Sequence, residues 1–186
     1  MIGALVFVVG SVVGSFLNVC IVRMPREESI VMPHSHCLGC KRPIPWYDNI
    51  PLLSFLLLKG RCRFCKKPIS RRYWVVEWLT AGIFLWFYLV FGLTEQFLVY
   101  AVWGAALIVV SFIDLEHQII PDEVSLGGLV AGLAISVFVP ALHEEAVWWR
   151  GLGQSVIGAL VGGGSIYLTG VLGNLVFRKE SMGGGD

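Results

Sequence analysis

Long apolar runs are the feature that most limits how this chain can fold. A helix needs about 20 residues to cross a hydrocarbon core of about 30 Å. Five stretches are long enough, near residues 2–22, 73–91, 97–113, 124–142 and 152–177. None alternates apolar and polar residues as barrel strands do, and backbone groups in lipid must be satisfied within their own segment. The sequence therefore predicts an all-α membrane protein, a polytopic bundle of transmembrane helices in a lipid bilayer.

The composition agrees with this fold class. Of the 186 residues, 56% are hydrophobic and 15% are charged, and the mean hydropathy is +0.74. A soluble domain carries about a quarter charged residues. The composition thus argues against a soluble globular domain, a disordered chain or a nucleic-acid binder, and we expect no nucleic-acid partner.

One basic block interrupts the apolar chain. Residues 23–72 hold eleven of the fourteen Lys and Arg residues against three acids, a net charge of +8, whereas the rest of the chain carries −7. Loops rich in Lys and Arg stay in the cytoplasm, so we expect this block inside and Met1 outside. The predicted organisation is a first transmembrane helix (1–22), a cytoplasmic loop (23–72) and transmembrane helices two to five (73–186).

Glycines spaced four residues apart predict close packing between helices, because they let two backbones approach each other. The alternative is that glycine is simply common in membrane helices. The three pairs are Gly10 and Gly14, Gly128 and Gly132, and Gly158 and Gly162.

Two C-x2-C pairs lie in the basic block, and their four thiolates can surround one tetrahedral Zn²⁺ ion. Basic neighbours favour the thiolate form. Disulfides or a redox pair are the alternative, although the cytoplasm is reducing. With all four positions taken by protein, the zinc would be structural. The predicted ligands are Cys37, Cys40, Cys62 and Cys65, whereas Cys20, alone in the first run, is expected to be a core residue.

Carboxylates follow the third apolar run. Asp114 is either a water-accessible acid or base, or a helix-ending residue near the headgroups. Asp122 follows Pro121, and we interpret it mainly as a cap of the next helix, with a part in catalysis left open. Glu116 and His117 are interpreted as solvated loop residues.

The last residue of the sequence, Asp186, follows a run of glycines. The alternation of five spans puts Asp114 and Asp186 on the same cytoplasmic face, each just beyond an apolar helix. Two carboxylates around one water form an aspartic protease dyad, in which one draws a proton from the water and the other donates one to the peptide carbonyl. Such a pair shares a proton and titrates as a unit. The predicted catalytic residues are therefore Asp114 and Asp186.

Several short motifs occur in a specific order along nearly the whole chain. They are Gly14-Ser-Phe-Leu-Asn18-Val, Arg23-Met-Pro25, the two cysteine pairs, Asn49-Ile-Pro-Leu-Leu-Ser54, Arg72-Tyr73 with Glu77, Asp114 with Ile120-Pro121-Asp122, and the terminal G-x-G-D. In this series the chain resembles the type IV prepilin peptidase family, the membrane-embedded leader peptidases of bacterial pilus, competence and type II secretion systems.

The resemblance implies an enzyme of the bacterial inner membrane that cleaves the leader of prepilins or pseudopilins after a glycine, at the cytoplasmic face. It matches Asp114 and Asp186 to the family's two catalytic aspartates. It also implies N-methylation of the new terminal residue from S-adenosylmethionine, an activity associated with the cysteine loop. Whether Asn18 or Glu77 serves methyl transfer or only packing stays open, as do the pilin substrate and the oligomeric state.

Family members continue past G-x-G-D with further helices, whereas this sequence stops at Asp186. We therefore expect a chain truncated at its C-terminus. The alternative function is a truncated or inactive zinc-knuckle scaffold in the membrane, which would dock partners in the cytoplasm.

Overall fold

The computed structural model describes residues 1–143, 145 and 147–177, and these residues contain no β-strand. Three short 3₁₀ turns connect the α-helices within this part of the chain, at Met24–Arg26, Trp46–Asp48 and Pro140–His143. The α-helices are α1 (Ile2–Arg23), α2 (Leu53–Leu57), α3 (Arg71–Phe91), α4 (Glu95–His117), α5 (Asp122–Phe138) and α6 (Trp148–Phe177).

Four of these helices, α1, α3, α4 and α6, are long and apolar enough to cross a membrane. This confirms the prediction of a helical protein that passes through the membrane several times, with four candidate spans among the described residues where the sequence predicted five.

The fourth apolar run forms a shorter helix than predicted. Helix α5 has 17 residues and ends at Phe138, although the apolar run continues to residue 142. Val139 leaves the helical conformation, with φ −127° and ψ 65°, because the residue before a proline is sterically kept out of the α region. A helix of this length is at the lower limit of about 17–25 residues for a span.

The described residues divide into two compact units, one up to Glu116 and one from His117 onward. In the first, α1, α3 and α4 share an apolar core that includes Cys20, which is 6% exposed, as predicted for a core residue. In the second, α5 packs against α6. There the Ser136 and Ser155 hydroxyls hydrogen-bond the His143 Nε2 atom at 3.1 and 2.9 Å.

Gly10 and Gly14 bring the backbones of α1 and α3 into direct contact. A Cβ atom at Gly10 would lie 2.8 Å from the Ala81 Cα, and one at Gly14 would lie 2.8 Å from the Glu77 Cα. Along this contact the residue numbers on α3 decrease where those on α1 increase, so the two helices are antiparallel. The close-packing prediction is confirmed for this pair. The other four glycines make no such contact among the described residues, since a Cβ there meets nothing within 4 Å: Gly128, Gly132, Gly158 and Gly162.

Replacing Gly14 by alanine is expected to lower the free energy of unfolding by about 1–3 kcal/mol, because the added methyl group must push the α3 backbone away. Unfolding of the purified protein in mixed micelles, at increasing fractions of a denaturing detergent, measures this loss.

Gly132→Ala is the matched control, because its methyl group enters open space and alanine has the better helix propensity by about 1 kcal/mol. Equal stabilities of the Gly14 and Gly132 variants would contradict the close approach of α1 and α3.

Candidate functional site

The two cysteine pairs form turns with the same backbone geometry. In each turn the N–H of the first cysteine, Cys37 or Cys62, donates to the carbonyl five residues later. The N–H of the residue four positions later donates back to that cysteine's carbonyl, and all four distances lie between 2.8 and 3.0 Å. The residue after the second cysteine has a positive φ in both turns, 59° at Lys41 and 58° at Lys66. In each pair the turn directs both cysteine side chains toward the same point.

Four sulfur atoms meet between the two turns, and all lie within 4.8 Å of one another. The Cys37 and Cys65 sulfurs are 3.7 Å apart. A tetrahedral ion with Zn–S bonds of about 2.3 Å requires sulfurs about 3.8 Å apart. All five cysteines of the chain are free thiols. The structure therefore contains no disulfide bond between the two cysteine pairs. The cluster can hold a metal ion through Cys37, Cys40, Cys62 and Cys65.

Backbone N–H groups of the first turn favour a thiolate. The N–H of Cys40, followed by that of Gly39, points at the Cys37 sulfur and holds the pKa of this thiol at about 6, against an ordinary value of 9.0. The thiolate is the form that binds a metal. Cys37 therefore supplies one thiolate at neutral pH. At Cys65 the Lys67 N–H lowers the pKa, but burial and hydrogen bonds with the other three thiols outweigh it and raise the pKa to about 11.

A cavity of about 850 Å³ lies between α1, the cysteine loop and the start of α3. Its volume is within the range of about 300–1,000 Å³ that is usual for small-molecule sites. The polar lining includes Asn18 from α1, Asp48 from the loop, and Glu77 from α3. Asp48 already has a partner for its charge, because both of its oxygens accept hydrogen bonds from Arg63 at 2.6 and 2.7 Å.

Glu77 is a buried carboxyl group inside an apolar helix, with 8% of the residue exposed. Its Oε2 atom accepts a hydrogen bond from the Leu52 N–H at 2.7 Å. Leu52 has a φ of 62°, a region that side chains with a Cβ rarely adopt. No Lys, Arg or His side chain in the described part of the chain forms an ion pair with Glu77.

Asn18 is 1% exposed and faces α3 one turn beyond Gly14. Its Nδ2 atom donates to the Gly14 carbonyl at 3.2 Å and to the Tyr73 carbonyl at 3.0 Å. Its Oδ1 atom has no partner among the described residues. The sequence left the roles of Asn18 and Glu77 open, and the structure places both on the wall of one cavity.

Asp114 lies one turn before the end of α4 and is exposed. Its carboxylate makes no hydrogen bond or ion pair with any described side chain. Asp186, the second predicted catalytic residue, lies outside the described residues. The pairing of the two aspartates therefore stays a prediction.

The interpretation of Glu116 as a solvated loop residue is wrong. Glu116 belongs to α4, and both of its oxygens accept hydrogen bonds from the Arg72 guanidinium at the start of α3. His117 is the last residue of the same helix. This ion pair ties the end of α4, two residues after Asp114, to α3. Opposite charges at the ends of two neighbouring apolar runs are the sequence signal that could have revealed it.

The capping role predicted for Asp122 is also wrong in its detail. Pro121 occupies the N-cap position of α5, and no side-chain cap hydrogen bond forms there. Asp122 and Glu123 instead lie in the first turn of the helix, where a negative charge interacts favourably with the helix dipole.

Comparison with known proteins gives matches over both halves of the chain. Residues 8–91 match the bacterial peptidase A24 N-terminal domain, and residues 101–186 match the type IV leader peptidase family. No solved structure matches the chain.

Three relatives show how much of each protein is shared. A prepilin leader peptidase/N-methyltransferase of Myxococcus xanthus (strain DK1622) is 41% identical over 97% of this chain and 51% of its own length. A type 4 prepilin-like proteins leader peptide-processing enzyme of Escherichia coli O78:H11 is 40% identical over 95% of this chain and 70% of its own. A prepilin leader peptidase/N-methyltransferase of Klebsiella pneumoniae is 35% identical over 99% and 80%. The chain thus spans about half the length of the Myxococcus protein.

Proposed function

Because the chain belongs to the type IV leader peptidase family, we propose that it is a membrane-embedded aspartic peptidase with N-methyltransferase activity. Its substrates are type IV prepilins or pseudopilins. It cleaves their leader after a glycine and then methylates the newly exposed terminal residue. The observation that supports this most is the match of both family models, in order, over residues 8–91 and 101–186.

We assign peptide hydrolysis to Asp114 and Asp186. One carboxylate accepts a proton from a water molecule, whose oxygen attacks the carbonyl carbon of the scissile bond. The other, protonated, donates its proton to the carbonyl oxygen. The exposure of Asp114 and its lack of another described partner support this assignment, because a catalytic carboxylate must be open to water and substrate.

The reaction takes place at the cytoplasmic face of the bacterial inner membrane. The net charge of +8 over residues 23–72 supports this orientation, since basic loops stay inside. The transmembrane helix 1–22 then precedes a cytoplasmic metal-binding domain (23–72), and residues 73–186 carry the peptidase motifs.

We assign two bound groups to the protein, a Zn²⁺ ion and S-adenosylmethionine. The cysteine cluster would hold one Zn²⁺ ion in a structural role, because four thiolates leave no position for a substrate. S-adenosylmethionine supplies the methyl group when it is bound, and the cavity between α1, the cysteine loop and α3 has the volume and the buried polar groups for a ligand of that size. The residues of this cavity orient the amine and exclude water.

The proposal is tested by incubating the purified protein, in micelles, with a prepilin and S-adenosylmethionine, and by measuring the products by mass spectrometry. We expect loss of the leader after a glycine, followed by a mass gain of one methylene on the new terminal residue. Without S-adenosylmethionine only the first product should form. An intact prepilin, or cleavage at another residue type, would contradict the proposal.

A further inference from the structure

Two residues that line the cavity between α1, the cysteine loop and α3 each carry one buried polar atom that lacks a hydrogen-bond partner among the described residues. These atoms are the Asn18 Oδ1, an acceptor, and the Trp74 Nε1, a donor. The orientation of the Asn18 amide is fixed, because its Nδ2 donates to two carbonyl oxygens and a flipped amide would place an oxygen against both. Buried polar groups are normally paired. A matching ligand therefore offers a donor to Asn18 and an acceptor to Trp74.

Glu77 adds a buried negative group to the same wall. Gly14 lies against the backbone of Glu77, and Asn18, one turn later on α1, bonds the backbone of Tyr73, one turn earlier on α3. Asn18 and Glu77 are thus on adjoining turns of two helices in contact. The Leu52 N–H and the Ser15 hydroxyl donate to the Glu77 carboxyl group, but neither supplies a positive charge.

The basic side chains of the cavity do not neutralise Glu77. Arg23 donates instead to the carbonyls of Ser29 and Pro33 at 2.8 and 2.7 Å. Arg63 pairs with Asp48. A buried carboxylate without a counter-charge is costly, and a well-placed ligand that brings a positive charge offsets part of that cost.

We propose that this cavity binds an α-amino carbonyl group, H₃N⁺–CHR–C=O. Glu77 and the Asn18 Oδ1 accept hydrogen bonds from the ammonium, and the Trp74 Nε1 donates to the carbonyl oxygen. The inference rests on the proposed function, because methylation of an amino terminus requires a site that holds the amine. The same chemical group occurs at a peptide amino terminus and in the amino-acid part of S-adenosylmethionine.

Two matched pairs of ligands identify the source, with binding to the protein in micelles measured by isothermal titration calorimetry. The first pair is an apolar peptide with a free amino terminus and its N-acetylated form. The second is S-adenosylhomocysteine and methylthioadenosine, which lacks the amino-acid part. Hydrogen bonds to a charged group predict binding about 10–100-fold tighter for the member with the free amine, in at least one pair. No difference within either pair would overturn the proposal.

The Glu77→Gln variant tests the named carboxylate. Glutamine keeps an oxygen for the Leu52 N–H but removes the charge, so the free-amine ligand should bind about 10–100-fold more weakly, while its amine-free partner binds as before. Glu27→Gln is the control, since it removes one negative charge from an exposed side chain that does not line the cavity. Unchanged binding to Glu77→Gln would overturn the role of Glu77. If this variant does not fold, the ligand pairs on the unaltered protein decide.

These results separate the site from the proposed function. Tighter binding of the free-amine ligands, without any cleavage or methylation, would support the amine-binding site and refute the proposed function. Cleavage and methylation without discrimination would keep the proposed function and refute the site.

Discussion

The Asp114→Asn variant is expected to lose prepilin cleavage by about 10²–10⁴-fold, the contribution of a positioned acid or base. Asparagine has nearly the shape of aspartate, but its amide can neither draw a proton from water nor donate one as a carboxylic acid does. Because Asp114 is exposed and makes no ion pair with a described residue, the substitution should leave the fold intact. The initial rate of leader removal measures the effect.

Glu123→Gln is the matched control, since it also removes one negative charge from an exposed carboxylate. It should cleave prepilin at the unaltered rate. Methylation of a peptide that has already lost its leader should survive in Asp114→Asn, because Asp114 does not line the cavity between α1, the cysteine loop and α3. Cleavage by Asp114→Asn at the unaltered rate would remove Asp114 from the mechanism.

The Cys62→Ser variant is expected to lose its bound metal. Cys62 is 8% exposed, and its sulfur belongs to the cluster within 4.8 Å. Structural zinc binding contributes about 10–16 kcal/mol in small zinc-binding peptides, and a hydroxyl is a poor replacement for a thiolate. We expect about one zinc per chain in the unaltered protein, close to none in the variant, and faster proteolysis within residues 23–72. Elemental analysis and limited proteolysis measure the two effects.

Cys20→Ala is the control for this experiment, because Cys20 lies in the apolar core of α1, α3 and α4. It removes a thiol without touching the cluster and should keep its zinc. Unaltered protein without zinc, while its thiols are intact, would refute the assignment of the cysteine cluster to this metal.

The parts of the fold that could be predicted from the sequence are those fixed by local pattern. Apolar runs give helices because a backbone in lipid has no other partners. The spacing within each C-x2-C pair determines its turn, and the prediction of a four-cysteine cluster follows from that spacing.

The parts that could not be predicted depend on partners distant in sequence. Nothing in their spacing separates Gly10 and Gly14 from the other glycine pairs, yet only they contact another helix within the described structure. The Asn18 side chain bonds the backbone of Tyr73, 55 residues away. The pair of Arg72 with Glu116 likewise requires the packing of α3 against α4, which no local pattern specifies.

One hydrogen bond that Glu77 receives comes from the main chain of Leu52. Natural variation at position 52 can therefore change size and polarity without removing this donor. Proline alone has no N–H to offer, and β-branched residues fit a positive φ poorly, so both should be rare there among functional homologues. Glycine, which has no Cβ to clash at a positive φ, should be the tolerated replacement.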